Sequence, residues 1–403
     1  MALARARYIP SLLQDHLDDL AFIAGQRREA LGSRLHSLRE FGELNERMEA
    51  HLQGALIAPP EALTAQLQPQ LAAEGRDEAF AAACVLLRLA EARTTHAVVV
   101  EFSRARGATL AGLRDALGLA PPALFTDEMR SALEKAKPTT AVAAAVVLAN
   151  QRLLDAASPR LAKLLEDDDP AVCELAWRAA LLVDAAAPKA APLRPFKAGL
   201  AHASAAVRHS AWCAVAWAGQ AAALPLLRKS AAASDVPALH WLAVLGSADD
   251  APLLQKAALA LTDLRLRCGL LARFGHPSAL NALLRWMADD DVALAVAARE
   301  AFTRITGQDV CGERRQLPVA DDADDFEREM APDVWLPDVQ KARAAMERHA
   351  EEWATGTRWC QGLRLDGRVS REVLVQLDLE ARWDTAARAA LAGRAISAPP
   401  PIH

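Results

Sequence analysis

Aromatic and strand-forming residues are scarce in this sequence. Of its 403 residues 5% are aromatic, and there is a single tyrosine, Tyr8. Side chains of that kind favour strands because they pack well on a pleated, half-buried surface, so their scarcity argues against a sheet-based core. A basic block is missing as well. The formal net charge is −5; residues 1–152 carry 17 basic and 18 acidic side chains, 153–306 carry 16 and 15, and 307–403 carry 13 and 18. With no segment clearly basic, bulk electrostatics gives no support to a nucleic-acid partner, which needs a concentrated positive surface to displace counterions. The six cysteines (Cys84, Cys173, Cys213, Cys268, Cys311 and Cys360) form no C-x-x-C pair, and four sit in Ala/Leu-rich runs where a thiol acts as a small hydrophobe. Such usage fits reduced thiols and a cytoplasmic location. Long apolar runs are absent too. The stretch Ala141–Ala149 has about half of the ~20 residues that span a bilayer. The opening residues meet Asp15, Asp18 and Asp19 before any apolar core, so no signal peptide is expected.

What is present is alanine and leucine at helical spacing. Ile9, Leu12, Leu13, Leu17, Leu20 and Ile23 recur at three- and four-residue steps, as do Leu38, Phe41, Leu44, Met48 and Leu52. Helical runs follow at about 61–73, 76–91, 94–105, 108–117 and 126–136, with Pro121-Pro122 and Pro138 at the breaks. From Ala141 a repeat emerges. A Leu pair marks one helix of each unit (Leu164-Leu165, Leu226-Leu227, Leu253-Leu254, Leu283-Leu284). A polar turn usually comes next, then an Ala-rich second helix closing at Asp184, Gly219, Gly246, Gly275 and Gly307. Glycine just past a helix takes the left-handed conformation that stops it, and Asp before a helix caps its unpaired N–H groups. PAVCELAWRAALLVD aligns with AAVRHSAWCAVAWAG, matching Ala176-Trp177 to Ala211-Trp212. Such a unit cannot bury its apolar face alone, so consecutive units must stack. The expectation is an all-α chain, an α-solenoid of HEAT-like helical hairpins with helical caps at both ends. Its parts are an N-terminal helical region (1–140), a repeat core (141–307), and a C-terminal region (308–403). That last region opens with an irregular acidic linker, continues as helices at 338–354, 370–379 and 382–394, and ends in a disordered Pro399-Pro400-Pro401 tail.

Constellations that carry chemistry are thin. His202 and His209 are separated by a turn and have no further ligands at zinc spacing, so they read as polar residues flanking a helix start. The Asp clusters at 167–169 and 289–291 lack the Gly and the twelfth-position Glu of a calcium loop, and helix capping accounts for them. No G-x-S-x-G elbow and no phosphate-binding glycine loop occurs. One enzymatic alternative is a HEAT-like DNA glycosylase, with Trp177, Trp212, Trp217, Trp241 and Trp286 beside Arg178, Arg208, Arg267 and Arg273 holding an unstacked base. The near-neutral charge of 153–306 weighs against it. The expectation is therefore a non-catalytic binding protein with no cofactor or metal and no membrane contact. Trp and Arg dominate binding hot spots, so the candidate contact residues are Arg178, Arg208, Trp212, Trp241, Arg267, Arg273 and Trp335. For the tryptophans, half-buried packing is an equally good reading, and for Arg178 and Arg208 a solvated helix face is the alternative.

Several blocks carry a family resemblance: LDDLAFIAGQRREAL (17–31), LREFGELNERMEAHLQGAL (38–56), LLRWMADDDVALAVAAREAFTRITGQDV (283–310), ADDADDFEREMAPDVWLPD (320–338) and WATGTRWCQGLRLDG (353–367), with an AAR-AL helix at 386–391 closing the last segment. In order and spacing the chain resembles a bacterial HEAT-repeat family of unassigned mechanism, whose genes often lie among those for type VI secretion components. It departs from the pattern at Trp335-Leu336-Pro337, and it lacks an aromatic neighbour after Arg358-Trp359. The resemblance implies a protein partner and an accessory role in secretion, as an effector adaptor or chaperone or an immunity-like partner. It supplies no catalytic residues, and the sequence sets no oligomeric state.

Overall fold

The computed structural model describes residues 8–186, 195–316, 333–354, 356–365 and 369–401, together with 324, 326 and 330. Most of these are helical. The chain divides into two compact units, residues 1–220 with 378–403, and residues 221–377. The boundary falls inside the 141–307 stretch, and the C-terminal region is shared between the units.

The first unit contains α1 (Pro10–Ala30), α2 (Leu38–Ala55), α3 (Pro60–Gln70), α4 (Arg76–Arg88), α5 (Ala92–Arg104), α6 (Gly107–Leu119), α7 (Thr126–Lys135) and α8 (Pro138–Asn150). After these come α9 (Pro159–Leu164), α10 (Pro170–Ala186), α11 (Lys197–Leu200) and α12 (Ala205–Trp217). Helix α8 explains the apolar run noted above: every residue from Thr140 to Ala149 is buried, because α6, α7, α9 and α10 all pack on it. A helix apolar all round belongs in a core. Among the described residues no helix is long and apolar enough to cross a membrane.

Within this unit α1 packs on α4, α4 on α6, α6 on α8, α8 on α10 and α10 on α12. The series does not stay open. The C-terminal helix α22 (Leu379–Leu391) packs on α12 and also bonds to the turn between α1 and α2. There Leu379 N–H donates to His36 O (2.9 Å), Trp383 Nε1 donates to Leu31 O (2.8 Å), and Arg34 pairs with Glu380 (2.7 Å). The sequence reading placed separate caps at the two ends of a row; instead one helix touches both ends of this unit.

The second unit contains α13 (Leu224–Ala232), α14 (Val236–Leu245), α15 (Ala251–Ala260), α16 (Leu264–Phe274), α17 (Leu280–Met287) and α18 (Val292–Thr306). Then come strands β1 (Cys311–Gln316) and β2 (Asp333–Pro337), α19 (Val339–Arg348), α20 (Ala350–Trp353), strands β3 (Trp359–Cys360) and β4 (Leu363–Arg364), and α21 (Arg371–Gln376). The capping reading applies here: the side chains of Asp235, Asp263 and Asp291 accept from the first-turn N–H groups of α14, α16 and α18. Gly275 and Gly307 close their helices at φ +65° and +68°, whereas Gly246 ends α14 at φ −62°.

Two short antiparallel strand pairs, β1 with β2 and β3 with β4, are added to an otherwise helical chain. The irregular linker expected from 308 onward begins instead with β1. Most of the acidic stretch 317–332 lies outside the described residues. The tail at 394–401 has no helix or strand.

The β3–β4 segment stitches together the C-terminal ends of three second helices. Arg358 donates to Ala243 O (2.6 Å) and Gly246 O (2.5 Å) at the end of α14, and to Phe274 O (2.7 Å) at the end of α16. Its guanidinium also sits 4.7 Å from the centroid of the Phe274 ring. Trp359 N–H donates to Gly275 O (2.7 Å), and Gln361 and Gly362 N–H donate to Arg304 O and Ile305 O at the end of α18. The last carbonyls of a helix have no partner within the helix, and this segment supplies one for several of them. A tight turn at Gln361-Gly362 (φ +53° and +75°) makes the approach possible.

Gly275 therefore serves two purposes. Besides its positive φ, a Cβ there would lie 2.4 Å from Trp359 O. We expect Gly275→Ala to lower the stability of this unit by about 2 kcal/mol or more, through left-handed strain and displacement of β3. Urea melts followed by circular dichroism measure it.

His276 adds a pH-sensitive tie. Its Nδ1 accepts from Ser278 N–H (3.2 Å), which leaves the proton on Nε2, and Nε2–H donates to Gly356 O (3.0 Å). Burial pushes its pKa below the ordinary imidazole value, and the positive charge of Arg358 adds to this against the opposing bond to Gly356. The unfolded chain then binds the proton more readily than the fold. The stability from neutral His276 is complete above the unfolded value of about 6.5 and is lost as pH falls toward the lowered folded value. The melting temperature should drop between pH 7 and 5 more steeply for the wild type than for His276→Gln.

Candidate functional site

Of the seven sequence-predicted contact residues, Arg178, Arg208 and Trp212 belong to the first unit and Trp241, Arg267, Arg273 and Trp335 to the second. Trp212 is 1% exposed and Trp241 5%, so both are core side chains with no face left for a partner. Their hydrophobic area is spent between helices, as it is for Trp177, which lies against Phe196 with ring centroids 5.7 Å apart and so close to Gly199 that a Cβ there would sit 2.4 Å from the indole. This corrects the reading of Trp212 and Trp241 as contact residues in favour of packing.

Arg208 and Arg267 are structural braces. Both are the fourth residue of a second helix, and both reach back to carbonyls preceding that helix. Arg208 Nη1 donates to His202 O and Ala203 O (both 2.7 Å), and Arg267 donates through Nε (3.1 Å) and Nη2 (2.6 Å) to Leu261 O. Arg267 also lies 5.8 Å from the Trp286 ring centroid. The repeated position is legible in the sequence, but the bond is not, because it depends on how the turn folds back. Arg273 is half-buried beside His240, with Nη1 and Nδ1 3.4 Å apart.

Trp335 is different. All nine tryptophans are among the described residues, and it is the one on the surface, 48% exposed. It sits on β2 opposite Arg314, and β2 rests on α18. Asp338 N–H donates to Val310 O (2.8 Å) and Lys341 Nζ of α19 to Cys311 O (2.7 Å), both bracing the end of the strand pair where β1 begins and β2 ends. A large amphipathic ring on a braced strand loses little entropy when a partner covers it.

Arg178 belongs to a cluster that sequence reasoning missed. Gly112 on α6 lets that helix meet α4 so closely that a Cβ would lie 2.1 Å from Arg76 O. This contact brings Asp115, one turn further along α6, to Arg76. Asp115 takes Nε (3.0 Å) and Nη2 (2.6 Å) of Arg76 on one oxygen and Nε (3.0 Å) and Nη2 (2.8 Å) of its neighbour Arg114 on the other. The side chains of Arg114 and Asp115 are 6% and 2% exposed. Next to them Arg28 of α1 pairs with Asp77 of α4; the Asp77 hydrogen bond raises the Arg28 pKa. Burial lowers that of Arg76, Asp115 opposing.

Arg178, on α10, adds a further guanidinium. It is half-buried and makes no hydrogen bond or salt bridge to a described residue. Burial first, and then the like charge of Arg114, push its pKa down; Glu174 one turn away acts the other way, and Arg76 adds to the lowering. Among the described residues no group of three or more His, Cys, Asp or Glu side chains is placed to hold a metal ion. Compared with family models, curated proteins and solved structures, the chain matches none of them.

Proposed function

We propose that the protein is a non-catalytic protein-binding scaffold that docks a partner on the strand pair bearing Trp335. The single observation that carries this reading is the exposed indole on a braced strand, in a chain whose other tryptophans are buried or half-buried. Stacked helical hairpins of the HEAT kind suit the role, because neighbouring units bury a shared core and leave extended faces for partners. The resemblance of the sequence blocks supports an accessory role in type VI secretion, with a secreted effector or a secretion component as partner and the cytoplasm as location. The base-holding enzyme reading is weakened by its own residues: Trp177, Trp212, Trp217 and Trp241 are buried, and Arg208 and Arg267 are engaged with carbonyls.

Affinity capture from the host bacterium tests it, with mass spectrometry of wild type and Trp335→Ala. The expected result is stoichiometric recovery of one secreted effector or secretion component by the wild type. The exposed-ring variant should lose it at least tenfold while its melting temperature stays unchanged. Recovery of nucleic acid alone, with salt-sensitive binding, sinks the scaffold reading; undiminished capture by Trp335→Ala sinks the docking residue.

A further inference from the structure

Two histidines meet where α1 packs on α2. His16 and Asp19 lie one turn apart on the same face of α1, and His51 on α2 reaches both. The Nδ1 atoms of His16 and His51 are 3.3 Å apart, and Asp19 Oδ2 is 3.3 Å from the same His51 nitrogen. The ring centroids are farther apart (5.4 Å) than the nitrogens, so each nitrogen is on the side of its ring that faces the other. A neutral imidazole has one N–H and a carboxylate has none, so these three atoms can share only one proton without a clash. Both distances exceed the ~2.7–3.2 Å of an ordinary hydrogen bond from N–H. They match instead the spacing of two ligands on one tetrahedral zinc ion, which at ~2.0–2.1 Å from the metal lie about 3.3–3.4 Å apart. Gly54, one turn after His51 on α2, makes room for this arrangement. Glycine inside a helix is costly relative to alanine, yet a Cβ here would lie 2.4 Å from His16 Nε2. Both imidazoles are only partly buried and Asp19 is exposed, so an ion reaches them from solvent.

We propose that His16 and His51 form a zinc site between α1 and α2, with both Nδ1 atoms as ligands and water completing the shell. Imidazole nitrogen suits this ion, and binding releases the proton held between the two rings. Asp19 contributes its negative charge beside the ion and not a bond to it, so the protein supplies two ligands. The ion clips α1 to α2, next to the turn that α22 engages. The site lies wholly in the first unit and is independent of the Trp335 docking reading.

The test is a titration of the chelator-treated full chain with zinc chloride, followed by calorimetry and by thermal melting. Anything that binds the folded state alone raises the melting point by mass action. The wild type should take up one zinc ion per chain and melt higher with it. His51→Gln and Gly54→Ala should each bind zinc at least tenfold more weakly. Without zinc, Gly54→Ala should melt no lower than the wild type, because its Cβ displaces only the His16 ring, and this separates loss of the site from loss of the fold. His96→Gln, at an exposed position on α5, should bind as the wild type does. Cobalt(II) in place of zinc should give visible bands without thiolate charge-transfer absorption. A wild type that takes up no zinc overturns the proposal, as does undiminished uptake by His51→Gln or Gly54→Ala. A thiolate band with cobalt also overturns it, since that puts the ion on a cysteine.

Discussion

Replacing Arg358 by methionine should destabilise the second unit by about 3–5 kcal/mol, taking ~1.5–3 kcal/mol for each hydrogen bond to a charged donor and allowing for their non-additivity. Arg358 joins parts of the chain that local sequence does not connect: its acceptors Ala243, Gly246 and Phe274 lie 115, 112 and 84 residues away. Methionine keeps most of the side-chain volume but no donor, so the three carbonyls lose their partner and the stacking on Phe274 loses its charge. The adjoining bonds from Trp359 and Gln361 to Gly275 and Arg304 depend on the same alignment. Hydrogen exchange at those two amides should therefore accelerate together, before the helices open. Arg358→Lys should recover only part of the loss, because an ammonium on a flexible stem cannot span three carbonyls as the planar fork does. Unchanged protection at Trp359 and Gln361 in Arg358→Met would show that the segment is held by packing alone.

The second large effect is expected at Asp115. Asp115→Ala leaves Arg114 buried without a counter-charge and frees Arg76, a change of the kind that costs about 3–5 kcal/mol. The double variant Arg114→Met with Asp115→Leu should recover most of that loss, since exchanging a buried pair for apolar side chains is often neutral. Denaturant melts of the wild type, the single and the double variant measure both. Recovery below half in the double variant would mean that the pair fixes the α4–α6 contact geometrically and not only by charge.

Much of the helical layout was legible beforehand. The periodicity at 76–91 and 126–136 corresponds to α4 and α7, and Asp263, Asp291 and Gly307 stop and start helices as their chemistry dictates. The strand pair was not. Its first strand, Cys-Gly-Glu-Arg-Arg-Gln, is polar without alternation, and its partner ends in proline, so neither carries a strand signal. The candidate contacts fared unevenly for one reason. Trp212, Trp241 and Trp335 are the same residue type, and nothing within a few residues of each states whether another helix will cover it.

Sequence alone determined that the chain is helical, where most helices begin and end, and that Asp and Gly punctuate them, because propensity, capping and left-handed glycine act within about one helical turn. Only the tertiary structure decided which arginines brace carbonyls and which tryptophan stays in solvent. It also decided that α22 returns to the α1–α2 turn. Those outcomes depend on burial, on how a turn folds back against the helix that follows it, and on hydrogen bonds between residues as much as hundreds of positions apart, where packing and not local preference sets the partner.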